Sequence, residues 1–120
     1  MTNHRRSAAL PLTAIITAAL LAACGSSGPS ERDQIAAIVK QEGANPATLC
    51  DHLTDQMLSR LGGKAGCMRQ AAVSSADPTT RVTSVNVHDR SASAVVVDRA
   101  GTRTISFVKE TDGWKVAGVG

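Results

Sequence analysis

Two side chains near the middle of the chain have the types and spacing of a general acid–base pair. His52 and Asp55 are three residues apart, so on a helix they would share one face, where an imidazole and a carboxylate can hydrogen-bond and move protons. We favour the alternative that both lie on a solvated helix face. The chain contains no glycine-rich phosphate loop, nucleophile elbow or metal-binding helix motif.

Arg103 is a charged residue in phase with apolar neighbours. Alternate residues of a strand share a face, so Arg103 would lie on the same face as Ile105 and Phe107. A guanidinium in that position can enter a pocket and bind an anion. The alternative is an ordinary charge on the surface of a sheet, and both interpretations stay open.

Length and composition limit what such sites can do. A chain of 120 residues suits one domain and excludes a multidomain enzyme. With one Phe, one Trp and no Tyr, it has almost no aromatic surface on which bases could stack. The formal charge of +3 falls to +1 when a segment through residue 23, which contains Arg5 and Arg6, is removed. This balance does not indicate a nucleic-acid partner, and we expect neither a metal nor a cofactor.

The first 24 residues have the pattern of an export signal. Arg5 and Arg6 precede an uncharged apolar stretch, residues 8–23, which is shorter than the roughly 20 residues of a membrane-spanning helix. The stretch ends in Leu21-Ala22-Ala23-Cys24, which resembles the lipobox of bacterial lipoproteins. The resemblance implies that residues 1–23 are removed and that Cys24 carries lipid, anchoring the chain at the extracytoplasmic face of the cell membrane. Residues 24–30, rich in Gly and Ser, then form a flexible tether to a domain over residues 31–120.

The other two cysteines, Cys50 and Cys67, are expected to form a disulfide, because paired thiols in a small exported domain are usually bonded. A metal site formed by Cys50, His52 and Cys67 is the competing interpretation. It lacks a fourth ligand at a recognisable spacing, and helical positions two apart, such as 50 and 52, point to different faces.

The elements that must position these residues begin with helices. Ser30 is a favourable N-cap, and an i, i+3, i+4 apolar rhythm follows it, so we predict a helix that ends at Gly43. Asn45-Pro46 predicts the start of a second helix, which continues to Gly62-Gly63. A third short helix is predicted over residues 66–74. The apolar stripes are Ile35, Ile38 and Val39, with Glu42 next in the same rhythm, and then Leu49, Leu53, Met57 and Leu61.

After Asp77-Pro78 the apolar period changes from helical to alternating, which predicts an antiparallel sheet and an α+β fold. Val82 is out of phase with the later valines of its strand, which predicts a bulge near Thr83–Ser84. The unbroken run Val95–Val97 predicts a central strand covered on both faces. The four strands are predicted over Arg81–Val87, Ala92–Asp98, Thr102–Lys109 and Gly113–Val119.

Residues 30–120 resemble the nuclear transport factor 2-like superfamily, which includes the SnoaL-like proteins. The resemblance is carried by the first two helices with the ending Leu58–Gly63, by the Cys50/Cys67 pair, and by the terminal hairpin Val108–Val116. It implies N-terminal helices packed on a curved four-stranded antiparallel sheet, forming a cone with a pocket. The chain lacks room for the usual strand pair before the third helix, so this cone would be trimmed. Members that are enzymes use a general base and an orienting residue, which would be His52 and Asp55 here.

From these elements we expect a non-catalytic module that binds a small apolar ligand, or an anionic amphiphile held by Arg103, or an envelope protein. A small isomerase- or dehydratase-like enzyme that uses His52 and Asp55 is the alternative. A second copy of the chain could pack through the sheet. Large apolar side chains on the inward phase of each element would line the cone, or would fill it and leave no cavity. They are Ile35, Ile38, Leu53, Met57, Ile105, Phe107 and Trp114.

Overall fold

The first helix begins at the N-cap that the sequence predicts. A computed structural model of the chain describes residues 30–120, so the predicted signal segment, Cys24 and the tether up to residue 29 lie outside the described residues. Helix α1 spans Glu31–Ala44, and the Ser30 hydroxyl accepts a hydrogen bond from the backbone N–H of Asp33 at 3.1 Å. The buried side chains of this helix are those of the predicted stripe, Ile35, Ile38 and Val39.

The prediction of a continuous second helix is wrong. A 3-10 helix over Pro46–Asp51 is followed by a new N-cap at Thr54 and the short helix α2, Asp55–Arg60. Between the two helices the backbone pairs with the last strand of the sheet. The N–H of Thr54 donates to the carbonyl of Val116 at 3.0 Å, and the N–H of Val116 donates to the carbonyl of His52 at 2.5 Å. The strand edge thus supplies hydrogen bonds that a continuous helix would have formed within itself.

Helix α3 spans Gly63–Ala72, so it begins three residues before the predicted start. Gly62 is in the left-handed region at φ 88°, which lets the chain reverse directly into the new helix. Gly66 lies so close to the preceding segment that an added Cβ would stand 1.8 Å from the carbonyl oxygen of Leu61. None of the helices within residues 30–120 is long and apolar enough to cross a membrane.

Four antiparallel strands follow the helices: β1 Arg81–His88, β2 Ser91–Asp98, β3 Gly101–Glu110 and β4 Gly113–Val119. They pair in sequence order, β1-β2-β3-β4. Every strand end lies within one residue of its predicted position. The register of β1 against β2 shifts between Val82 and Ser84, which confirms the predicted bulge.

The α+β prediction, with helices followed by an open four-stranded antiparallel sheet, is confirmed. The prediction that β2 is covered on both faces is wrong. Val96 is fully buried, whereas its neighbours Val95 and Val97 are only partly buried. Successive strand residues point to opposite faces, so the core lies on one face of β2 and the other face is less covered.

Candidate functional site

A cleft of about 360 Å³ lies between the C-terminal end of α1, the 3-10 helix, α3 and the adjoining ends of β2 and β3. We call it the Glu42 cleft, and it combines an apolar wall with a charged floor. The wall consists of Pro46, Leu49, Leu61, Cys67 and Ala71, and the charged residues are Glu42, Asp77, Asp98 and Arg103.

The alternation of side chains along β2 and β3 positions Asp98 and Arg103, two of the charged residues of the cleft. Arg103 pairs with Val96 across the β2–β3 ladder, and it shares the inward face with the buried Ile105. Its guanidinium donates a hydrogen bond to the carboxylate of Asp98, at the inward-facing end of β2. The same guanidinium lies 3.9 Å from the Oε2 atom of Glu42 on α1. Arg103 therefore joins the sheet to the last turn of the helix.

Glu42 is the least satisfied of these carboxylates. Within residues 30–120 it accepts no hydrogen bond, and its contact with Arg103 is a long ion pair. Burial raises the pKa of Glu42 above its ordinary value of 4.5, and repulsion from Asp98 adds to this, while attraction to Arg103 opposes it. The charged form of Glu42 is therefore less favourable in the folded protein than it is in water.

The two aspartates are held differently. The hydrogen bond from Arg103 is the main cause that lowers the pKa of Asp98 below its ordinary value. Asp77 accepts hydrogen bonds from the hydroxyl and the N–H of Thr79 and from the N–H of Arg99. Chiefly through the Thr79 hydroxyl, these bonds lower the pKa of Asp77 to about 2. Both aspartates are therefore charged at neutral pH, with their hydrogen-bonding capacity largely used within the fold.

A smaller apolar recess of about 60 Å³ adjoins the cleft, because Glu42, Leu49 and Arg103 line both. Its other lining residues are apolar, and they come from α1 and from the inward face of β3 and β4. They are Ile38, Val39, Ile105, Phe107, Val116 and Val119. Glu42 and Arg103 thus stand where a polar cleft meets an apolar recess.

The residues predicted to line a cone are distributed over several places. Ile38, Ile105, Phe107 and Arg103 do line the recess beside the cleft. Ile35, Leu53 and Met57 line none of the described cavities: the first two are buried in the core and Met57 packs against it. Trp114 is buried as well, and it lines a separate surface groove. Much of the predicted lining is therefore packed core.

Cys50 and Cys67 lie at disulfide distance, as predicted. Their Sγ atoms are 2.00 Å apart and their Cα atoms 5.9 Å apart, within the usual range for a disulfide. The bond ties the 3-10 helix to α3, and Cys67 forms part of the cleft wall. With both sulfurs bonded, neither is free to ligate a metal, and no group of three ligating side chains occurs within residues 30–120.

The structure separates the predicted acid–base pair. His52 follows the 3-10 helix as its C-cap, whereas Asp55 begins α2, so the two do not share a helix face. His52 lines a surface groove of about 320 Å³ together with Asp112 and Trp114, and Asp55 is not part of that groove. The shared helix face from which the His52–Asp55 dyad was inferred is therefore not formed.

Comparison with known proteins gave no match to a family model, to a curated protein or to a solved structure.

Sequence reasoning singled out Arg103 as a site residue, whereas it placed Glu42 in the apolar rhythm of α1 without a chemical role and did not single out Asp98. All three carry the same signal, a charge in phase with an apolar stripe. Glu42 is four residues after Ile38 on α1, and Asp98 is two residues after the buried Val96 on β2. A search for in-phase charges would have found them, although only the fold shows that they meet.

Proposed function

We propose that this protein is an exported lipoprotein, anchored through Cys24, whose domain binds a small amphiphilic molecule in the Glu42 cleft without transforming it. The observation that carries the proposal is the cleft itself. Its volume of about 360 Å³ is within the usual range for small-molecule sites, roughly 300–1,000 Å³. It also has the usual composition of such sites, an apolar wall with a few convergent polar groups.

The charges of the cleft support binding over catalysis. Arg103 is paired with Asp98, and Asp77 is held by Thr79, so these groups already have partners in the fold. A general acid or base needs a free proton-transfer position beside the substrate. Glu42 could supply only one such group, and His52, the general base of the alternative enzyme hypothesis, lines a different groove.

The arrangement of helices on one face of the sheet is what a trimmed nuclear transport factor 2-like cone would require, and we propose that relationship for the fold. The cleft lies between the helices and the sheet, at the adjoining ends of β2 and β3. In this interpretation the missing strand pair leaves the binding site more open than in a full-sized cone.

The proposed anchor places the cleft near a membrane. Leu21-Ala22-Ala23-Cys24 supplies the thiol for lipid attachment, and the described domain begins at Ser30. Six residues, 24–29, extend at most about 21 Å at roughly 3.5 Å per residue. A molecule bound in the cleft would therefore be held within a few nanometres of the bilayer surface.

The anchor is tested by labelling cells of the native host with an alkyne-bearing fatty acid. We expect label on the wild-type protein and none on Cys24→Ala, which also keeps the mass of the unprocessed chain. The Cys50→Ala/Cys67→Ala variant is the control and should retain label, because those thiols are not lipidated. Label that persists on Cys24→Ala, or a wild type without label, contradicts the anchor.

The cleft is tested by identifying small molecules that co-purify with the protein, using mass spectrometry. Ala71 lines the cleft, whereas its neighbour Ala72 is exposed and does not. We expect Ala71→Phe to fill the cleft and lose the bound molecule, and Ala72→Phe to retain it. A molecule that both variants retain equally is bound elsewhere, and this outcome would refute the cleft as the site.

A further inference from the structure

The charges lining the Glu42 cleft do not suit an anion. Three carboxylates and one guanidinium line it, those of Glu42, Asp77, Asp98 and Arg103. Counting Arg99 as well, whose Nε atom is 3.6 Å from an Asp77 oxygen, the acids still exceed the bases by one. Arg103, the one cation of the lining, is already bonded to Asp98. An anionic amphiphile would therefore meet net negative charge.

Glu42 is the group that a ligand could satisfy. It accepts no hydrogen bond within the part of the chain that the structure describes, and Arg103 is 3.9 Å away. Its side chain is still 23% exposed, so a molecule in the cleft can reach it. The neighbouring Asp98 and Asp77 are directly hydrogen-bonded within the protein.

The surroundings of Glu42 also indicate the shape of the ligand. Leu49 and Leu61 form an apolar wall of the same cleft, and the apolar recess adjoins it through Glu42 and Leu49. An apolar body lying along this wall would leave water, while its polar end would remain beside the carboxylate. Gln70, Ser74 and Ser75 also line the cleft and are exposed, so the cleft is open to solvent.

We propose that the ligand of this cleft is a small organic cation, an alkyl- or arylalkyl-ammonium whose charged nitrogen pairs with Glu42 and whose apolar body lies against Leu49 and Leu61. This inference rests on the proposed binding function and specifies its ligand class. A charge-assisted hydrogen bond in a partly dehydrated cleft contributes more than a neutral one. The Arg103–Asp98 pair remains intact, because the ammonium adds to Glu42 and displaces nothing.

The test compares three probes of equal length but different charge: hexylammonium, hexanol and hexanoate. Each is titrated into the mature chain, residues 24–120, carrying Cys24→Ser and an oxidised disulfide, while amide NMR signals of Gln70 and Ala71 are followed. We expect hexylammonium to bind tightest. Glu42→Gln should weaken its binding about tenfold, the effect of losing a charge-assisted hydrogen bond at a half-buried site, and should leave hexanol unchanged.

The Glu42→Gln variant is expected to fold, because burial already disfavours the charged form of Glu42. The amide spectrum of the variant shows directly whether it is folded. Glu42→Asp keeps the charge on a shorter side chain and should retain part of the preference for hexylammonium. Ala71→Phe should weaken the probes that bind to the cleft, irrespective of their charge, and Ala72→Phe should weaken none.

The outcomes separate the two proposals. If hexanol or hexanoate binds as tightly as hexylammonium, or if Glu42→Gln has no effect while Ala71→Phe does, the ligand is not a cation but the cleft is still a binding site. If none of the three probes shifts the cleft amides at millimolar concentration, both proposals fail.

A pH titration gives an independent readout. Protonation of Glu42 removes its charge, so hexylammonium affinity should fall as the pH is lowered through the raised pKa of that carboxyl, which Arg103 and Asp98 face from the sheet. In Glu42→Gln this dependence should disappear. An affinity that is independent of pH in the wild type would overturn the role of Glu42.

Discussion

Asp77 shows how a single side chain can join two loops. One carboxylate oxygen accepts hydrogen bonds from the N–H of Thr79, at 2.9 Å, and from its hydroxyl. The other oxygen accepts from the N–H of Arg99, 2.9 Å away in the turn between β2 and β3. The N–H of Asp77 itself donates to the carbonyl of Gly43 at the end of α1. The residue thereby holds one side of the cleft in place.

These hydrogen bonds predict a specific acid sensitivity. The pKa of Asp77 is about 2 in the folded protein and near 3.8 when unperturbed, so the unfolded chain binds more protons between these values. The stabilisation is complete above about pH 4 and is lost as the pH falls towards 2. We expect Asp77→Asn to lower the melting temperature at pH 7 and to flatten its decrease between pH 4 and pH 2, measured by circular dichroism.

The control for Asp77→Asn is Glu110→Gln, since Glu110 is exposed and makes no ion pair within residues 30–120. It should leave both the melting temperature at pH 7 and its acid dependence nearly unchanged. Equal acid dependence in wild type and Asp77→Asn would show that these hydrogen bonds do not persist in solution.

At the scale of elements, the connection of α2 to α3 depends on close backbone contact. Gly66, in the first turns of α3, is buried against the carbonyl of Leu61, which leaves no space for a side chain. Gly43 has a comparable position in α1, where an added Cβ would stand 2.7 Å from the Cβ of Thr80. Both contacts border the cleft, so its walls are set by how closely helices can approach their neighbours.

Gly66→Ala is therefore expected to destabilise the protein. Alanine is normally better than glycine in a helix by about 1 kcal/mol, so a lower melting temperature would report the collision with Leu61 and not helix propensity. Gly118→Ala is the control, because an added Cβ there has no atom within 4 Å. Thermal unfolding of both variants is the measurement, and an unchanged or raised melting temperature for Gly66→Ala contradicts the close contact.

Both edge strands of the sheet, β1 and β4, form hydrogen bonds with segments outside the sheet. Part of β4 is covered by residues 52–54, which pair with Val116. At the other edge of the sheet, the guanidinium of Arg32 donates to the carbonyl of Val85 in β1 at 2.8 Å. Unpaired strand edges can recruit other chains, so these contacts help to keep the sheet from pairing with another chain.

At the scale of the whole molecule, a small domain with few large side chains needs a cross-link. The described core contains one Phe and one Trp, and much of the rest is Ala, Val and Ile. Small cores of this kind provide little margin of stability. The Cys50–Cys67 bond joins positions 17 residues apart and cross-links the 3-10 helix to α3.

Removing this disulfide should cost about 3 kcal/mol, the chain-entropy estimate for a loop of this length. We expect Cys50→Ala/Cys67→Ala and the reduced wild type to unfold at similarly low urea concentrations, with the emission of Trp114, the single tryptophan, as the probe. Adding reductant to the double variant should have no effect. A double variant as stable as the oxidised wild type would show that the bond is dispensable.

Several features of this protein follow from the sequence alone because they depend on near neighbours. Ser30 and Asn45 cap the helical segments that they precede, since a short polar side chain can reach the N–H groups just after it. The four strands and the bulge before Ser84 follow from alternation, which is a property of the local backbone. The export signal and Cys24 are likewise read as a continuous pattern, and they remain predictions.

Other features were decided only by tertiary structure. The predicted second helix is interrupted around residue 53. There the backbone forms hydrogen bonds with the edge of β4, which lies more than 60 residues further along the chain. The same break separates His52 from Asp55. The cleft depends on contact among Glu42, Asp98 and Arg103, which lie on three elements. In the sequence, each of these charged residues is in phase with an apolar stripe. A sequence pattern does not specify, however, which elements pack together. Burial and pairing of those charges are consequences of long-range packing, and so is the site.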